Sequence, residues 1–84
     1  MAKTVMKRVY DGVYYIVREE EGKFYFVDRT ITRRGKKTLH ETEDVSCAYR
    51  YIKEDVAKEL LRVVKNGEKY TVRKIHTEFI YVMD

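Results

Sequence analysis

The sequence predicts an α+β domain: an antiparallel meander of about four to six strands packed on one main helix, in the order β-β-β-(β)-α-β-(β). Three observations predict it. Residues 56–67, VAKELLRVVKNG, carry one strongly amphipathic helical pattern. The segments before and after that helix alternate in the short period of strands. Glycine-bearing turns separate the early segments at hairpin spacing.

Residues 4–10, TVMKRVY, alternate loosely and read as a strand. Asp11-Gly12 is a two-residue hairpin signal, which makes 13–19, VYYIVRE, its return strand. Glu19-Glu20-Glu21-Gly22 is a second turn, its glycine supplying positive φ. Residues 23–32, KFYFVDRTIT, form the third strand. Arg33-Arg34-Gly35-Lys36-Lys37 reads as the tip of another hairpin, returning along Thr38–Thr42 as a polar edge strand; a disordered loop is the alternative.

Residues 43–53 are ambiguous. Run backwards through them, the helix would turn Cys47 and Tyr51 onto its polar arc, so its start is set near Lys53. A short helical turn capped by Asp44 or Ser46 precedes it; a helix beginning at Cys47 is the competitor, because Ser46 is a good cap. From Ile52 onward, at ~100° per residue, Val56, Ala57, Leu60, Leu61, Val63 and Val64 gather on about half the circle. So wide an apolar face predicts a helix sunk into a groove of the sheet. Glu54 and Asp55 open the helix, and Arg62 and Lys65 close it, as the dipole prefers. Asn66-Gly67 is expected to end it with a left-handed cap. Residues 69–75 and 79–83 form a terminal strand pair. The apolar phase slips by one between them, implying a bulge or turn near His76-Thr77-Glu78.

Eighty-four residues make a single domain, 1–84. Hydrophobic content of 44% is enough for a globule and argues against disorder, and the net charge of +4 permits a nucleic acid or acidic partner without requiring one. The lone Cys47 allows no internal disulfide, and MAKTVMKRVY has no apolar signal region, so the expected location is the cytoplasm. The longest apolar run, Val13–Val17, is far too short to span a bilayer, so no membrane role is expected.

Strands 13–17, 23–27 and 79–83 are apolar on both faces, whereas one helix covers one face of a sheet. Two arrangements account for the second, tyrosine-rich face. Either the sheet curls or loop 33–47 folds over it, or it is a partner surface or the interface of a homodimer.

The candidate binding residues are Arg29, Arg33, Arg34, Lys36, Lys37 and His40 on the hairpin, with Tyr15 and Tyr25 as aromatic anchors. The bland alternative is a solvated turn whose cations guard an edge strand, with Glu41, Glu43 and Asp44 partly neutralising it. Gly22-Lys23-Phe24-Tyr25-Phe26-Val27 resembles the aromatic strand of RNA-recognition motifs only faintly. Tyr25 stands where a small residue belongs, so core packing explains these aromatics better. Neither His40 nor His76 has a spacing to Cys47 that marks a nucleophile and base, and a buried thiol is the ordinary fate of a lone cysteine. No zinc signature or glycine-rich phosphate loop is present; no metal, cofactor or catalytic residue is assigned, and a small enzyme is the remote alternative.

Ala48-x-x-Tyr51-x-x-x-x-Val56, then a helix, a glycine turn and the strand Tyr70–Ile75, resembles a recurring type of small phage-encoded accessory protein. Where such proteins often carry a serine cap before the helix, this chain has Lys53. Some phage proteins of this size inhibit host defence, anti-CRISPRs among them. The resemblance implies a non-enzymatic inhibitor that sterically occupies a host protein or ribonucleoprotein in the host cytoplasm. Direct nucleic-acid binding through residues 29–40 is the alternative.

Overall fold

The computed structural model describes residues 3–83. Six strands, β1 (Thr4–Tyr10), β2 (Tyr14–Glu20), β3 (Lys23–Arg33), β4 (Lys36–Thr42), β5 (Thr71–Lys74) and β6 (Thr77–Met83), accompany one helix, α1 (Glu54–Val63). Short 3-10 turns at Val45–Cys47 and Gly67–Lys69 flank the helix. The α+β class is as expected.

Two tight hairpins build the centre. Glu20 pairs with Lys23 and Arg33 with Lys36, leaving two-residue loops. Glu21 and Gly22, then Arg34 and Gly35, all have positive φ, as a type I′ turn requires at both central positions. The 33–37 segment is therefore an ordered hairpin tip. β5 adds to the other side of β2, and the sheet runs β4-β3-β2-β5.

That order overturns the Asp11-Gly12 hairpin. Val17 of β2 faces Phe26 of β3 on one side and Thr71 of β5 on the other, so β2 has no edge left for β1. β1 pairs instead with β6, from Thr4 opposite Met83 to Tyr10 opposite Thr77, as a separate two-stranded ribbon. The expected terminal pair is corrected too, since β5 and β6 belong to different sheets. The phase slip near His76 is the point where the chain changes sheet.

The helix begins where its apolar arc demanded. Lys53 is its N-cap without a side-chain bond, while Asp44 caps the preceding 3-10 turn by accepting from the Ser46 amide at 2.9 Å. Glu54 and Asp55 lie in the first turn, and Glu54 pairs with Lys58 at 2.7 Å. Two expectations fail. The helix is not sunk in a groove: Ala57 and Val64 are buried, but Ile52, Val56 and Val63 are 82%, 53% and 59% exposed. The left-handed cap is also absent. Val64 is already extended, and Gly67 opens the second 3-10 turn at a point where a Cβ would stand 2.0 Å from the Leu61 carbonyl oxygen.

Both sheet faces are covered. Beneath the helix, Ile16, Val27 and Leu39 meet Ala57, Val64 and Tyr70. On the second face, Tyr15 and Val17 are closed over by Ala48, with Val45 and Phe26 alongside. Backbone bonds pin the covering segment, Tyr49 N–H donating to Val27 O at 3.0 Å and Tyr14 exchanging two bonds with Tyr51. The second face is therefore interior, so the homodimer expected through it has no surface to use. Tyr15 is fully buried and serves as core, not as an exposed anchor.

Candidate functional site

Strand β3 outruns its neighbour. Pairing with β2 stops at Phe26, and from Val27 to Glu41 the β3–β4 hairpin continues as two strands. A register shift between Val27 and Arg29 sets Asp28 out of the ladder, and His40 Nδ1 lies 2.8 Å from its Oδ1. His40 is thus engaged within the hairpin. The end of α1 props the other side of the hairpin: Lys65 N–H donates to Lys37 O at 3.0 Å, and Leu39 N–H donates to Asn66 Oδ1 at 3.1 Å.

Register distributes the cations. Arg29 lies opposite His40 and Arg33 opposite Lys36, and directly opposed residues share a face. Strand alternation then puts Arg29, Arg33 and Lys36 together on the face away from Leu39. Arg34 occupies the turn, and Lys37 lies on the Leu39 side. All five are exposed. Lys65 lines the same groove as Lys36 and Lys37. Its charge is visible in the sequence, but only the bond to Lys37 O brings it to the hairpin.

The nearby acids are committed elsewhere. Glu41 accepts from Arg18 Nε at 3.0 Å and Nη2 at 2.6 Å, and from the Tyr70 hydroxyl at 2.8 Å. Glu43 lies 4.0 Å from Lys23, and Asp44 is spent on its cap. Among the described residues none of Arg29, Arg33, Arg34, Lys36 or Lys37 forms an ion pair. None of Glu41, Glu43 and Asp44 pairs directly with a hairpin cation. Tyr25 is half-buried, with the Arg18 guanidinium 4.3 Å from its ring centre, and supports the base of the hairpin.

The Arg18–Glu41–Tyr70 cluster is the fold's main electrostatic clamp. Hydrogen bonding from Arg18 holds the Glu41 carboxyl below its ordinary range, while burial and the bond to Glu41 push the Tyr70 hydroxyl up to about 12. Glu41 therefore stays ionised and Tyr70 protonated across neutral pH. A lowered carboxyl stabilises the fold above its unfolded value, and that contribution is lost as pH falls through the lowered value. Glu41→Gln should cost about 2 kcal/mol near neutrality, because the three bonds to the ionised carboxylate are weakened or lost. Its urea unfolding free energy should also fall less than the wild type's as pH drops through and below the ordinary carboxylate range. Parallel pH profiles for the two proteins would count against the clamp.

Cys47 is exposed, not the buried thiol expected, and its Sγ lies 3.5 Å from Asp44 Oδ2. His76 lies between Asp11 and Glu78, at 3.4 and 3.5 Å. Among the described residues no cluster of three or more metal-ligating side chains forms, and no helix is long and apolar enough to cross a membrane. No family model, curated protein or solved structure matches this chain.

Proposed function

We propose that the chain is a non-enzymatic binding protein whose β3–β4 hairpin grips the phosphate backbone of a nucleic acid, free or within a ribonucleoprotein. One observation carries the reading: five exposed cations on a two-stranded extension, with every acid nearby turned to another partner. Cations that merely guard an edge need not be freed from neighbouring carboxylates. Unpaired arginines and lysines keep their full capacity for phosphate. The tyrosines first expected as anchors are scaffold, so affinity on this reading is electrostatic and largely indifferent to sequence.

The narrower form, an inhibitor that blocks a host ribonucleoprotein in the cytoplasm, draws support from the resemblance of residues 48–75 to small phage proteins. It predicts that the protein and the ribonucleoprotein's own nucleic-acid substrate compete.

Fluorescence anisotropy with labelled duplex DNA and single-stranded RNA tests the reading. With five phosphate contacts, duplex affinity should fall by roughly 500-fold between 50 and 200 mM salt. Replacing Arg33 and Arg34 together by alanine should flatten the slope of log affinity against log salt by about 1.8. Absence of binding to either probe at low salt rejects the reading and leaves an acidic protein surface as the hairpin's partner.

A further inference from the structure

The β1–β6 ribbon is the least supported part of the fold. A lone pair of strands is marginal in water without a third strand or a covered face. At its base the ribbon is held. Arg50 lies 4.0 Å from the Tyr10 ring centre and 5.3 Å from that of Phe79, and the Tyr15 and Thr77 hydroxyls share a hydrogen bond. Beyond Phe79 this support ends, and Val5, Ile80 and Val82 are 62%, 68% and 59% exposed.

Its two outer edges differ in charge. β1 carries Lys7 and Arg8 in mid-strand, the kind of cations that block edge pairing. β6 runs Phe79-Ile80-Tyr81-Val82-Met83 without charge, proline or bulge. Its single charge, Glu78, lies near the start, 3.3 Å from Lys7. Among the described residues no hydrogen bond from outside the ribbon reaches the backbone of 77–83. A long apolar edge strand with no guarding residue is a template for another strand.

We infer that β6 pairs antiparallel with β6 of a second copy, joining the two ribbons into one four-stranded sheet with β1 on each outer edge. Charge selects this edge and this occupant. Centred on Ile80, the pairing sets Ile80 against Ile80 and Phe79 against Tyr81 twice, all contacts that favour antiparallel sheets. Glu78 then faces Val82, so no like charges oppose one another. Pairing through β1 would bring two Lys7-Arg8 dipeptides together. The strand is thus complementary to itself, as a twofold interface requires. The ribbon exposes seven large apolar side chains. Edge pairing covers the four that lie on β6, Ile80, Tyr81, Val82 and Met83, and continues the backbone ladder into the second copy.

Light scattering coupled to gel filtration of the full chain should give twice the monomer mass of 10.2 kDa. Ile80→Lys should give the monomer with an unchanged circular dichroism spectrum, because Ile80 is already exposed within one copy. In a Cys47→Ser background, Ile80→Cys should oxidise to a disulfide-linked dimer, since opposed strand residues lie within disulfide reach. If Ile80→Lys loses its circular dichroism, the cross-link alone decides. A monomeric wild type overturns the inference and leaves the edge to a strand of another protein. A dimer that survives Ile80→Lys, or a cysteine variant that stays uncross-linked, also overturns it.

Discussion

Gly67→Ala should lower stability by at least about 3 kcal/mol, a melting-temperature loss of roughly 15 °C for a domain this small. A Cβ at Gly67 would stand 2.0 Å from the Leu61 carbonyl oxygen and 2.9 Å from its carbon. Both atoms are backbone, so no rotamer change relieves the clash; the helix end or the 3-10 turn must move. Either movement spreads. The preceding residue, Asn66, accepts the Leu39 amide of β4 through its side chain. The turn leads directly into Tyr70, whose hydroxyl donates to Glu41. One methyl group therefore disturbs the helix end, the hairpin prop and the Arg18 clamp together. Differential scanning calorimetry checks it; a loss of only a few degrees would mean the junction between helix and turn yields easily.

The same glycine shows where sequence reasoning reaches its limit. Asn66-Gly67 after a helix signals a stop, and the helix does stop. Whether the glycine serves a left-handed φ or a close approach depends on where residue 67 lies relative to residue 61, which tertiary packing decides. Other local features were legible for local reasons. The Glu21-Gly22 and Arg34-Gly35 turns follow from two-residue loops between apolar runs. The helix start follows from Cys47 and Tyr51 falling on the wrong arc. Pairing partners were not legible. Asp11-Gly12 marks a turn, but the preceding strand bonds to one at the far end of the described chain, and no local period encodes that. Likewise the cations of residues 29–37 stand out in the sequence, whereas their freedom from Glu41 does not. That freedom depends on β2 placing Arg18 beside β4 across the sheet.

Tyr15→Ala should cost about 3–5 kcal/mol, enough to leave a domain of this size largely unfolded at physiological temperature. Tyr25→Ala should cost far less. The contrast follows from burial, although the two tyrosines look equivalent in sequence. Tyr15 is fully buried, meets Phe26 edge to face at 5.9 Å, and packs under Ala48. Its truncation would open a cavity beneath the segment that closes the second sheet face. Tyr25 keeps one side in solvent, and its loss removes mainly a ring beneath Arg18, which Glu41 still holds. Tyr15→Phe separates packing from hydrogen bonding. It keeps the ring and deletes the 2.8 Å bond to Thr77, so the expected loss is about 1 kcal/mol. Thr77 is the first residue of β6, so hydrogen exchange in this variant should quicken first in the ribbon and leave β2–β3 protected. Equal tolerance of alanine at positions 15 and 25 in urea unfolding would contradict the closed second face. With that face open, a partner surface on the sheet would again compete with the basic hairpin.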